Sequence, residues 1–96
     1  MSDEAIYRHS ADVVLRRIGE EAILVPIRNR VGDLDSIFTL NETAITIWEA
    51  LDGNTALHAV IERICQEYDV VADVAAADAH EIVTRLTEAG LLEEAT

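Results

Sequence analysis

The sequence predicts an α+β domain in which three short strands precede three helices. Two observations carry that expectation. Up to Leu40 the apolar residues come in short runs rich in branched side chains, whereas from Leu40 to Leu92 they recur at steps of three and four residues. The second half is also divided into three stretches by cap and turn residues, namely Asn41, Asp52-Gly53, Asp73 and Gly90. Ninety-six residues suffice for one domain with one modest core, so 1–96 is read as a single domain, with strands at about 12–40 and helices at about 41–90. Half the residues are apolar and one is proline, a composition that folds rather than staying disordered.

The first strand runs from Val13-Val14-Leu15 through Arg16-Arg17 to Ile18, and Gly19-Glu20 supplies a hairpin turn. In the second run, Ala22 to Ile27, alternation places Ile23, Val25 and Ile27 on one face. Pro26 falls on the other face and cannot donate to a ladder, which marks a strand end or an unpaired side. A turn-rich loop, Asn29 to Asp35 with Gly32 inside it, leads to a third strand, Ser36-Ile37-Phe38-Thr39-Leu40. Three strands in a meander are antiparallel and leave two edges whose backbone groups lack partners.

Asn41 is placed to cap the first helix, with Glu42 favourable against its dipole. Ala44, Ile45, Trp48 and Leu51 form its apolar stripe, and Asp52-Gly53 ends it. Thr55 is the expected cap of the second helix, whose stripe is Leu57, Val60, Ile61, Ile64, Cys65 and Tyr68. Asp73 is the expected cap of the third, where Ala75, Ala79, Ile82, Val83, Leu86 and Ala89 repeat before Gly90 at the C′ position. The short link between the last two helices suggests a helix-turn-helix arrangement, and Leu91-Leu92 either adds a short strand or packs the end.

Charge narrows the partners. The net value is −12, every basic residue is arginine, and residues 41–96 carry twelve acids against Arg63 and Arg85 alone, a balance of −10. Phosphate backbones and anionic lipid surfaces are bound through cationic side chains, so neither nucleic acid nor membrane suits this half of the chain. No apolar run approaches the roughly 20 residues that cross a bilayer, and the polar first ten residues lack a signal-peptide centre. Cytoplasm is the expected location.

No catalytic constellation emerges. His80-Glu81-Ile82-Val83-Thr84 starts like the zinc-protease helix motif, but Thr84 occupies the place of the second histidine. Cys65 lies on an apolar stripe and reads as buried packing, and one cysteine cannot build a disulfide or a cluster site within the chain. His9 and His58 are isolated, and Trp48 reads as core. The expectation is therefore a binding protein, not an enzyme, with no metal and no cofactor.

Several segments, taken in order, resemble one family. Leu40-Asn41-Glu42-Thr43-Ala44, Ile47-Trp48-Glu49, Leu51-Asp52-Gly53, Tyr68-Asp69-Val70 and Leu86 with Gly90-Leu91-Leu92 are similar to the PqqD-like family, named for the D protein of pyrroloquinoline quinone biosynthesis. The likeness covers about the C-terminal 55 residues. It implies a three-stranded antiparallel sheet followed by a three-helix, winged-helix-like bundle. It also implies a recognition element that binds the leader of a ribosomally made precursor peptide and presents it to a modifying enzyme, often a radical-SAM maturase. Carried over by position, the leader would add as a strand along Ser36, Ile37, Phe38, Thr39 and Leu40, with side chains entering a groove against Asp78, Ile82 and Arg85 of the third helix. Four edge hydrogen bonds give only about 4 kcal/mol, while micromolar affinity needs about 8, so groove contacts must contribute the rest. A winged-helix DNA-binding regulator shares the helical topology and is the alternative, opposed by the acidic third helix.

Overall fold

A computed structural model describes residues 3–11, 13–26 and 37–95 of the chain. The elements run β1 (Tyr7–His9), β2 (Val13–Ile18), β3 (Glu21–Pro26), β4 (Phe38–Leu40), α1 (Glu42–Ala50), α2 (Leu57–Tyr68), α3 (Ala72–Glu88) and β5 (Leu92–Glu94). The expected α+β order, a three-stranded antiparallel sheet followed by three helices, is the order found.

Strands β2, β3 and β4 form that sheet with β3 in the centre. Gly19, at φ +64°, turns the β2–β3 hairpin, a backbone angle open to glycine at little cost at the first position of a two-residue loop. The inner face is made by Ala22 and Leu24 of β3, with Leu40 and the half-buried Phe38 of β4 paired opposite them. Alternation within the second run therefore holds, but its buried face is the Ala22/Leu24 one. Ile23 and Val25 stand on the outer face, half-buried, and Ile27 lies outside the described residues. Pro26 ends β3 opposite Val13, where a missing donor costs little.

Helix α1 lies against β3 and β4, and α2 packs on α3. Asn41 caps α1 as expected, its side-chain oxygen accepting from the Ala44 N–H at 2.9 Å. Ala44, Ile45, Ile47, Trp48 and Leu51 are all buried, each large side chain contributing about 1.5–3 kcal/mol. On α2 the core takes Leu57, Val60, Ile61 and Ile64, while Cys65 and Tyr68 are only half-buried against it. The Tyr68 hydroxyl lies 2.6 Å from that of Thr46, tying the end of α2 to α1.

Two helix starts differ from expectation. The cap position of α2 is Ala56, because the Thr55 hydroxyl instead donates to the Asp52 carboxylate at 3.3 Å. The first N–H groups of α2 are taken by the N-terminal segment: Leu57 donates to the Ala5 carbonyl at 2.9 Å and His58 to that of Asp3 at 2.7 Å. Helix α3 begins two residues earlier than its acid implied, with Val71 at the cap instead of Asp73 and Asp73 inside the first turn, where a carboxylate still suits the dipole. At its other end the glycine assignment holds. Gly90 has φ +76° and donates to Thr87, and Leu91 donates to Leu86 at 2.9 Å, the paired bonds of a Schellman close.

Strand β1 has no counterpart among the expected strands. Tyr7–His9 pairs antiparallel with Leu92–Glu94, making a second, two-stranded sheet that fastens the start of the chain to its end. Ala5 and Tyr7 are buried beneath it. The His9 ring stacks on Trp48 with centroids 3.6 Å apart, and its Nε2 lies 2.7 Å from the Trp48 carbonyl oxygen. No helix among the described residues is long and apolar enough to cross a membrane.

Candidate functional site

The register of the sheet determines what β4 offers to a partner. Across the two-residue turn, Ile18 and Glu21 form a hydrogen-bonded pair, so alternate pairs along β2–β3 exchange bonds and the residues between them face β4. Ala22 and Leu24 consequently bond to Leu40 and Phe38, and Thr39, opposite Ile23, turns its N–H and C=O away from the sheet. Among the described strands nothing pairs with that side of β4. Side chains alternate the other way: Phe38 and Leu40 point inward and Thr39 is exposed.

Beside this edge runs α3. Between them lies a groove of about 190 Å³ lined by Phe38, Thr39, Leu40, Asn41, Ala44, Asp78, Glu81, Ile82 and Arg85. Ile82 stands at the margin of the core, half-buried, so the floor of the groove is apolar. Its helical wall is polar. Asp78 is exposed and has no hydrogen-bond or ion-pair partner among the described residues. The Arg85 guanidinium carbon sits 4.9 Å from the centre of the Phe38 ring, and an Arg85 nitrogen lies 3.9 Å from the Glu81 carboxylate. Arg85 thus closes one end of the groove over Phe38, in a cation–π contact worth about 0.5–1 kcal/mol at an exposed site.

Of the residues singled out from the sequence, Phe38, Thr39, Leu40, Asp78, Ile82 and Arg85 meet at this groove. Ile37 precedes β4, is exposed and does not line it, and Ser36 lies outside the described residues. Asn41, Ala44 and Glu81 join the lining without having been anticipated. Asn41 and Ala44 already had roles as cap and core, which hid the second one. Glu81, three residues after Asp78, could have been found by the same helical spacing.

A second depression, of about 440 Å³, opens on another side of α3 and is lined by Tyr7, Thr84, Thr87, Glu88 and Glu94. Burial, and after it the Glu94 carboxylate, raises the Tyr7 phenol above its ordinary 10.0. His80, the residue that opened the incomplete metal motif, has its Nε2 2.7 Å from the Asp3 carboxylate. No group of three or more metal-ligating side chains occurs among the described residues.

Comparison with known proteins bears on this geometry. The family model for coenzyme PQQ synthesis protein D (PqqD) matches residues 21–92, which takes in β3, β4, all three helices and the groove. A solved structure of TbiB1 in complex with the TbiA(beta) leader peptide has the same fold. The TM-score is 0.72 at 24% sequence identity, covering 90% of this chain and 94% of that one. No curated protein matches the chain.

Proposed function

The chain belongs to the PqqD family, and on that premise we propose that it is a non-catalytic peptide chaperone that binds the leader of a ribosomally made precursor. The bound leader is presented to a modifying enzyme, a radical-SAM maturase by family precedent. The observation that carries the reading is the open edge of β4 facing α3 across the groove. An extended leader enters as a fourth strand beside β4, exchanging two backbone bonds with Thr39. Those bonds supply about 2 kcal/mol, so most of an affinity in the micromolar range comes from side chains placed against Phe38, Leu40 and Ile82. That a protein of the same fold was solved in complex with a leader peptide supports a peptide ligand.

A nucleic-acid role draws no support from the helices. Their two arginines each lie beside a carboxylate, Arg63 with Glu67 at 3.1 Å and Arg85 with Glu81 at 3.9 Å, and residues 41–96 carry twelve acids, so the surface offered to phosphates is predominantly negative.

The deciding experiment is titration of isotope-labelled chain with the leader of its cognate precursor, followed by backbone amide shifts. Changes should concentrate on Phe38–Leu40 and on α3 from Asp78 to Arg85. Shifts confined to α2 or to the β1–β5 sheet would remove the groove as the binding site.

A further inference from the structure

The wall of the groove does not stop where the groove does. Counting 100° per residue, Val74, Asp78 and Ile82 lie within a sector of about 80° on α3 that also holds Arg85 and borders the core face beside Ile82, and Val71 caps the N-terminal end of the helix. Val71 and Val74 are among the most exposed large apolar side chains described, at 67% and 49%, and continue the stripe past the N-terminal end of the groove. Isolated exposed valines are ordinary. Val74 on the helix face that bears Asp78 and Ile82, with Val71 at the cap one turn before it, extends the apolar surface beyond the groove.

Spacing converts the stripe into a sequence preference. Steps of four residues separate Val74, Asp78 and Ile82 by about 6 Å each along the helix. An extended peptide repeats the side chains on one face every second residue, about 6.6 Å. For a peptide running along α3, three alternate side chains fall opposite Ile82, Asp78 and Val74, with an accumulated mismatch of only about 1 Å. The outer two meet apolar surface. The middle one meets a carboxylate with no described partner, in a half of the molecule whose charge balance is −10.

Resting on the peptide-binding reading above, we propose that the site selects an extended segment of the form apolar–x–basic–x–apolar. Its lysine or arginine pairs with Asp78, and its outer anchor sits on Val74 and Val71. The pattern reads the same in both directions, so it holds whether the added strand runs parallel or antiparallel to β4. From Arg85 to Val71 the stripe spans about 21 Å, the length of six or seven extended residues.

Selection of the full chain against a randomised heptapeptide library tests this. With wild-type protein, lysine or arginine at the central position flanked two residues away on both sides by apolar residues should be enriched about tenfold over aspartate or glutamate there. Asp78→Lys, an exposed change that leaves the core untouched, should reverse the central preference, and Asp78→Asn should abolish it. Val74→Asp should remove the preference at one outer position only. Indifference to central charge in the wild type, or an unchanged preference in Asp78→Lys, overturns the proposal. Amide shifts with the enriched peptides separate the two readings. Shifts at Phe38–Leu40 without the charge preference retain the binding edge and discard the pattern, whereas shifts elsewhere discard both.

Discussion

Thr39→Pro isolates the binding edge from the fold. The Thr39 side chain is exposed and its N–H points out of the sheet, so a proline there removes no bond to β3. Moving φ from the strand value near −140° towards −65° costs the domain on the order of 1 kcal/mol. A bound strand loses more. It forfeits a bond worth about 1 kcal/mol net, leaves its own carbonyl unpaired in the groove at about 1–3 kcal/mol, and meets the pyrrolidine ring where the N–H had been. Affinity for the cognate leader should fall at least tenfold, about 1.4 kcal/mol. Calorimetric titration measures it, with thermal unfolding alongside. Thr39→Ala keeps the N–H and should bind within about threefold of wild type. Phe38→Pro, whose N–H faces Leu24, should instead lower Tm, by about 4–8 °C for each kcal/mol lost. If folded Thr39→Pro binds as wild type does, or if Thr39→Ala loses as much as the proline, β4 is not the edge that a leader joins.

Ile82→Asp puts a carboxylate on the apolar groove floor beside Asp78 and should weaken leader binding at least tenfold, read by titration with a circular-dichroism check of folding. Cys65→Ala should leave leader affinity unchanged and cost about 1 kcal/mol of stability in denaturant, since the thiol is half-buried; loss of binding in a folded variant would assign the thiol a role. The raised Tyr7 pKa favours the neutral phenol in the folded state. Its contribution to stability is therefore complete below pH 10.0 and lost as pH rises through the higher folded value. Tyr7→Phe should flatten that alkaline limb in unfolding curves taken from pH 9 upward, and an unaltered limb would place its origin elsewhere.

The elements that announced themselves are those whose local chemistry and packing agree. Asn41 and Gly90 sit at helix ends where a side-chain acceptor and a positive φ are required, and both positions were legible. Thr55 and Asp73 are residue types equally suited to capping, yet the caps lie elsewhere. Backbone carbonyls of Asp3 and Ala5 had already satisfied the donors of α2, and a carboxylate serves α3 from inside its first turn. The bonds that replace a cap on α2 join residues more than fifty positions apart, and no local pattern records them. Strand β1 is invisible for the same reason. Its three residues, Tyr7-Arg8-His9, show no alternation of apolar side chains, and their stability comes from Leu92–Glu94. At the groove, the family resemblance pointed to Asp78, Ile82 and Arg85, but the neighbouring Asn41 and Ala44 had explanations of their own. Which backbone groups of β4 face outward followed only from the register of a ladder two strands away.

Closure of the β1–β5 ladder has a kinetic consequence. Arg8 and Glu93, joined at 2.8 Å, are 85 residues apart, so pairing these strands in an open chain costs about 4 kcal/mol of loop entropy. Once the helices have shortened the path the cost falls, which makes this ladder a late step in folding and an early one in opening. Its release would not be confined to the termini. The N–H groups of Gly53, Leu57 and His58 are held by carbonyls of Tyr7, Ala5 and Asp3, so their amides should exchange with solvent together with those of β1. The groove at β4 and α3 makes none of these bonds. Leader recognition can persist through such an opening while the β1–β5 sheet breathes.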